Sequence, residues 1–248
     1  MSTPLRGAAI LLECDPGHSL GGSPSRDIAA IHRVLAGITA SGAHPVAFAP
    51  TDVHILTTNA KAAAATGRLL GVHGRSSELL STLAALGAGP EDPRVVVLLL
   101  TGHGYQERDR DGDEADGLDE YIRVDGGTIT DDALRVALAA FPERTHFITM
   151  ADTCHSGTLV EGAGPAGVHF GACSDTQLSQ CDVGDVAGFG GSLTVALVED
   201  SPTLQALICE PALVATKGRL RHTGYASFVD GVRGRLALLG QELSVWWV

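Results

Sequence analysis

Short apolar runs and stretches of helical periodicity alternate along the chain. Strand-like runs cover Ala8 to Leu12, Pro45 to Phe48, Arg94 to Thr101, Thr145 to Ala151 and Val168 to Ala172. Helical patterns cover Arg26 to Ile38, Ser77 to Leu86, Asp131 to Ala140 and Ser192 to Val198, with a further one from Pro202 to Val214. Such alternation is the signature of a largely parallel sheet covered by helices, which predicts an α/β fold. Two long connections interrupt it. Pro50 to Arg75 is rich in Ala and Gly and carries Lys61, Arg68 and Arg75, and Glu161 to Gly191 is rich in Gly and polar residues. Loops of that length in a compact domain border sites or regulate them.

The 248 residues fit one α/β domain, taken here as 1–248. A hydrophobic content of 44% excludes global disorder, and no apolar run approaches the roughly 18 residues of a membrane span. The first apolar stretch runs straight into Glu13 and Asp15, so it reads as a strand rather than a signal peptide. Seventeen basic against 29 acidic residues give a formal charge of −12, which argues against nucleic acid and favours cationic substrates or a metal ion. The five cysteines, Cys14, Cys154, Cys173, Cys181 and Cys209, form no C-x-x-C pair. A reducing, cytoplasmic setting is the simplest inference.

Two strands end in turns loaded with chemistry. The run to Leu100 leads into Thr101-Gly102-His103-Gly104, and the run to Ala151 into Asp152-Thr153-Cys154-His155-Ser156-Gly157. In an open α/β sheet the carboxyl ends of strands face the ligand crevice, so a His and a Cys placed there meet. A thiol of ordinary pKa about 8.5 needs an imidazole beside it to become a nucleophile at neutral pH. His103 can take that role and later protonate the leaving amine. His155 adjoins the cysteine, but neighbouring residues on a turn point in different directions. Backbone N–H groups of Cys154 and Gly104 are candidates for an oxyanion hole.

The segment TGHGYQERDRDGDEADGLDE resembles the histidine block of metacaspases. ITDDALRVAL and ITMADTCHSGTLVE resemble their acidic pair and cysteine block, and GACSDTQLSQCDV with GGSLTVAL their small-subunit region, all in the family's order. The resemblance implies a caspase-like fold, three layers α/β/α, in which residues 1–160 are large-subunit-like and residues 161–248 form a linker and a small-subunit-like region. It implies a cysteine endopeptidase with Cys154 as nucleophile and His103 as base, acting on protein or peptide substrates with Arg or Lys at the cleavage site. Asp152 stands where the family lines its primary pocket, and a carboxylate there selects a cationic side chain. The family's L-x-G-C-x-N-D block has a counterpart in Leu20 to Asp27, which nominates Asp27 and Ser23, and Thr101 falls at the pocket wall.

Seven acids lie between Asp109 and Glu120, but the sixth place of a would-be EF-hand loop is Glu114 where the turn requires Gly. The resemblance instead implies a Ca²⁺ site at Asp119, Asp131, Asp132 and Glu161. No Lys or Arg occurs from Thr145 through Thr216, so a basic-specific enzyme finds no place to cut itself in the linker. It would act as one chain, or answer to an activating protease or regulator. Two competing readings stand beside the peptidase: a catalytically silent scaffold on the same fold, and a gingipain- or separase-like peptidase of the same clan.

Overall fold

A computed structural model describes residues 4–38, 46–59, 73–89, 93–110, 112, 114, 116–160, 167–181, 190–209, 215–216, 219–220 and 223–247. Its centre is a seven-stranded sheet. In chain order the strands are β1 (Leu5–Cys14), β2 (Val46–Leu56), β3 (His73–Gly74), β4 (Val95–Gly102), β8 (His146–Thr153), β9 (Gly167–Gly171) and β12 (Ser244–Trp247). They lie in the order β12-β9-β8-β4-β1-β2-β3, all parallel except β12, which pairs antiparallel with β9.

Both faces of this sheet are covered, which is why β1, β4 and β8 read as continuous apolar runs rather than alternating ones. Ala9, Leu11, Val97, Leu99, Ile148 and Met150 turn to one face. There they meet α1 (Ser23–Ala36), α4 (Ser192–Val198), α5 (Ser201–Cys209) and α6 (Thr223–Leu238). Ala8, Ile10, Leu12, Val96, Leu98 and Leu100 turn to the other, against α2 (Leu79–Gly87) and α3 (Asp131–Ala139). The expected three-layer α/β/α architecture is therefore present.

The differences from the sequence reading have physical causes. The predicted connection Pro50 to Arg75 begins inside β2, which continues to Leu56. Residues 49–52 bulge out between the registered pairs Gly7–Phe48 and Ala9–Val53, so the apolar pattern breaks while the pairing resumes. Arg6 bonds Asp52 across this bulge at 2.7 Å. Lys61 and Arg68 lie outside the described residues, and so do residues 210–214 of the helix predicted to reach Val214.

The acidic stretch read as a loop holds a second, antiparallel sheet of β5 (Gly104–Arg108), β6 (Leu118–Val124) and β7 (Gly127–Thr130). Its acids are unusual in strands, and only Ile122, Val124 and Ile129 enter the core. The β6–β7 turn is Asp125-Gly126, with Gly126 at φ 85°. In α6 three glycines, Gly224, Gly231 and Gly234, cost roughly 1 kcal/mol each in propensity. Burial of Phe228, Val229, Val232 and Leu236 against the sheet outweighs them. Two short strands, β10 (Ala215–Thr216) and β11 (Arg219–Leu220), precede it.

His169, in β9, is fully buried, and neither ring nitrogen has a hydrogen-bond partner among the described residues. Burial pushes its pKa down to about 4, so the folded protein holds it neutral. An unfolded chain takes up a proton below about 6.5, and stability is therefore lost as pH falls from there towards 4. Between pH 7 and 4.5 the wild type should lose roughly 2 to 3 kcal/mol more than His169→Leu in urea titrations. Parallel losses in the two proteins would refute the assignment.

Candidate active site

The site is built by strand register. Cys14 of β1 lies opposite Gly102 of β4, which lies opposite Thr153 of β8, so the carboxyl ends of all three strands come level. His103 and Cys154 each stand one residue beyond their strand, as the two motifs led one to expect. Glycines make the fit possible. Gly102 has φ 132°, and a Cβ there would sit 2.7 Å from the carbonyl carbon of Cys14. At Gly104 a Cβ would sit 2.0 Å from the carbonyl oxygen of Cys154, so the chain after His103 passes directly over the Cys154 backbone.

His103 and Cys154 line one small cavity of about 110 Å³ together with Asp27, Asp152, Thr101 and Ser23. Every candidate pocket residue from the sequence is thus brought to the same place. Asp27 accepts bonds from the Thr101 hydroxyl at 2.6 Å and the Gly191 N–H at 2.9 Å. Asp152 accepts from the Thr194 N–H at 2.7 Å and the Ser179 hydroxyl at 3.2 Å. Burial holds both carboxyls above the ordinary range, Asp27 well above it, and the charge of Asp152 adds to the rise at Asp27. The Ser23 hydroxyl is buried without a partner among the described residues. A larger cavity of about 420 Å³ lies behind Asp27, between α1, α4 and α5. It reaches neither His103 nor Cys154.

Cys154 is partly buried, and its thiol points to the Ser179 carbonyl at 3.9 Å. Burial first, and then the charge of Asp152, push that thiol above its usual range. At rest it is a neutral thiol that requires a base. His155 is held elsewhere: at φ 52°, its Nδ1 meets the carbonyl of Asp175.

Two polar residues beside His103 carry no motif of their own. Asp15 lies 3.7 Å from His103 Nε2, and the Ser19 hydroxyl 2.8 Å from it. The available signal was topological: Asp15 follows directly on a strand that neighbours β4 in the sheet. Cys181, given no role from sequence, is exposed and lines the same cavity.

The acids expected to hold metal are only partly gathered. Glu114, Glu120 and Asp131 each offer an oxygen within 4.8 Å of the others'. Asp131 is half-buried, and its carboxyl is raised by burial and by the charges of Asp119 and Asp132. Asp119 is buried, whereas Asp132 is ion-paired with Arg135. Glu161 lies outside the described residues.

Residues 43–162, which include His103 and Cys154, match the family description "Metacaspase, peptidase C14 domain". Metacaspase-1 of Yarrowia lipolytica is 42% identical over 80 residues, 30% of this chain and 17% of that protein. Metacaspase-1 of Plasmodium falciparum is 27% identical over 146 residues, 49% of this chain and 24% of its own length. The similarity to metacaspases thus spans the segment that holds both motifs. What it shares with these metacaspases is less than a quarter of each relative's length. For the fold as a whole, the crystal structure of protein GSU0716 from Geobacter sulfurreducens superposes with a TM-score of 0.60 at 20% identity. That match covers 98% of this chain and 92% of the other, and supports the α/β architecture alone.

Because no space remains above Gly104, Gly104→Ala should displace the turn that carries Cys154 and cost about 1 to 3 kcal/mol in chemical denaturation. Wild-type stability in this variant, with unchanged alkylation of Cys154, would show the close approach to be dispensable.

Proposed function

We propose that this chain is a metacaspase-like cysteine endopeptidase that cleaves peptide bonds after Arg or Lys and is stimulated by Ca²⁺. One observation carries the reading: a thiol and an imidazole at adjoining strand ends share a small cavity with two buried carboxylates. In this reaction His103 takes the proton of the Cys154 thiol, and sulfur attacks the carbonyl carbon of the scissile bond. The oxyanion is received by backbone N–H groups at the Cys154 turn. His103 then gives its proton to the departing amine, and water releases the acyl group from sulfur.

The pocket accounts for selectivity. Burial raises both Asp27 and Asp152, and the charge of Asp152 raises Asp27 further, so two free anions are disfavoured in the empty pocket. A guanidinium or ammonium entering there permits ionisation and gains charge-assisted hydrogen bonds. An acidic side chain would add a third negative charge to the same space. The net charge of −12 favours approach of cationic segments.

Asp119, Asp131 and Asp132 supply hard oxygen donors, and the crowding that raises Asp131 is of the kind a divalent cation relieves. These residues, with Glu161, would hold Ca²⁺, whose contribution is charge neutralisation at the small sheet rather than bond chemistry.

Cleavage of an Arg-terminated fluorogenic peptide tests the reading. Cys154→Ala and His103→Ala should each abolish it while circular dichroism stays native; substantial residual hydrolysis in either would sink the mechanism. Asp152→Ala should lower kcat/KM for the Arg peptide by at least about 100-fold, corresponding to roughly 3 to 5 kcal/mol for stranding a buried cation. Equal turnover would place the specificity pocket elsewhere. Millimolar Ca²⁺ should raise the wild-type rate, and the response should weaken in Asp131→Ala/Asp132→Ala. Full activity in excess chelator would refute the calcium dependence.

A further inference from the structure

We propose that Asp15 and Ser19 are positioning residues for the base: a hydrogen-bonded chain from Asp15 through Ser19 to His103 fixes which ring nitrogen carries the proton. The inference deepens the peptidase reading and rests on it.

The Ser19 hydroxyl lies 3.0 Å from Asp15 Oδ1 and 2.8 Å from His103 Nε2. It has one hydrogen to donate and must accept in its other bond. Asp15 also accepts the Ser19 N–H at 3.0 Å on Oδ1 and the Leu20 N–H at 2.9 Å on Oδ2. Burial works against its charge, but these bonds more than offset it and hold the carboxyl below its usual range. An ionised carboxylate only accepts, so the Ser19 proton goes to Asp15. Ser19 Oγ is then the acceptor, and Nε2 of His103 must carry the hydrogen. In the neutral ring this leaves Nδ1 with the lone pair, ready for the thiol proton.

The same turn anchors the ring in two further ways. The backbone N–H of His103 donates to the Cys14 carbonyl at 3.0 Å, so main chain and imidazole are both tied to the end of β1. The Asp15 carboxylate itself lies 3.7 Å from Nε2, on the same side of the ring as Ser19. The turn is itself braced, His18 N–H donating to the Asp15 carbonyl at 2.9 Å with His18 at φ 51°. The other titratable groups around His103 are Cys154, Cys181, Asp152 and Asp27 in the shared cavity and Tyr105, whose ring centroid is 5.9 Å from that of His103. Among the described residues, Nε2 makes its hydrogen bond to the Ser19 hydroxyl oxygen rather than to any of these.

Long-range proton–nitrogen correlation spectra of the ¹⁵N-histidine-labelled full chain, at a pH where the imidazole is neutral, test the proposal. The His103 signal is assigned by its loss in His103→Ala. Wild type should show the Nε2–H tautomer. Ser19→Ala and Asp15→Asn should show mixed or Nδ1–H forms, with kcat on the Arg peptide reduced at least about 10-fold and KM within about twofold, short of losing the base altogether. Ser19→Thr, which keeps the hydroxyl, should restore both readouts. A wild-type Nδ1–H tautomer, or a Ser19→Ala protein with wild-type tautomer and kcat, would overturn it. If wild type hydrolyses no peptide, the peptidase reading fails, while the tautomer pattern still decides whether the chain of bonds exists.

Discussion

Hydrogen-bond register between three parallel strands governs the rest of this molecule. With β4 paired to β1 on one side and β8 on the other, Thr101 lies between Glu13 and Asp152, and Gly102 between Cys14 and Thr153. A slip of one residue would turn every apolar side chain to the opposite helical layer, and the buried surfaces of both layers oppose it. The same alignment brings three strand ends level, so that residues far apart in sequence share one cavity. Core packing and site geometry are thus enforced by one set of bonds, and the site inherits the stiffness of the sheet.

Within that frame the costliest feature is a like-charged pair. Asp27 comes from the helix after β1 and Asp152 from the end of β8, both almost wholly enclosed. The surroundings answer with donors: Thr101 and Gly191 to one, Thr194 and Ser179 to the other. Glycine at 191 is forced, because a Cβ there would lie 2.4 Å from a carboxylate oxygen of Asp152. A fold that retained two enclosed acids only for stability would do better with apolar residues of similar size. Their survival fits a demand made by what enters the cavity.

Much of this was legible beforehand, for reasons that can be named. Strands buried on both faces write themselves as apolar runs, so β1, β4, β8 and β9 stood out, and the Gly-flanked His103 and Asp152-x-Cys154 marked their ends. Asp27 could be found only through the motif resemblance, as nothing in local pattern separates it from any other helical Asp. The small sheet was hidden because β5 and β6 carry Glu107, Asp119 and Glu120. The Asp125-Gly126 turn was the one local clue to it. The α6 helix was hidden by its glycines, since its helicity comes from packing rather than propensity. Ser19 and Asp15 were out of reach, because their meeting with His103 is a fact of three dimensions with a sequence separation of 84 residues for the serine.

His103 is also the sole residue between two sheets: β4 of the large one ends at Gly102, and β5 of the small one begins at Gly104. The imidazole therefore sits at a joint. Its main chain is tethered to β1 through Cys14, while the next residue rides with a sheet whose far strands carry the acids Asp119 and Glu120 and lead into Asp131. A shift of the small sheet against the large one would turn the chain at the residue between them. A load applied at the acidic end would reach His103 along the chain, and Cys154, one residue past β8, through the close approach of Gly104 to its carbonyl.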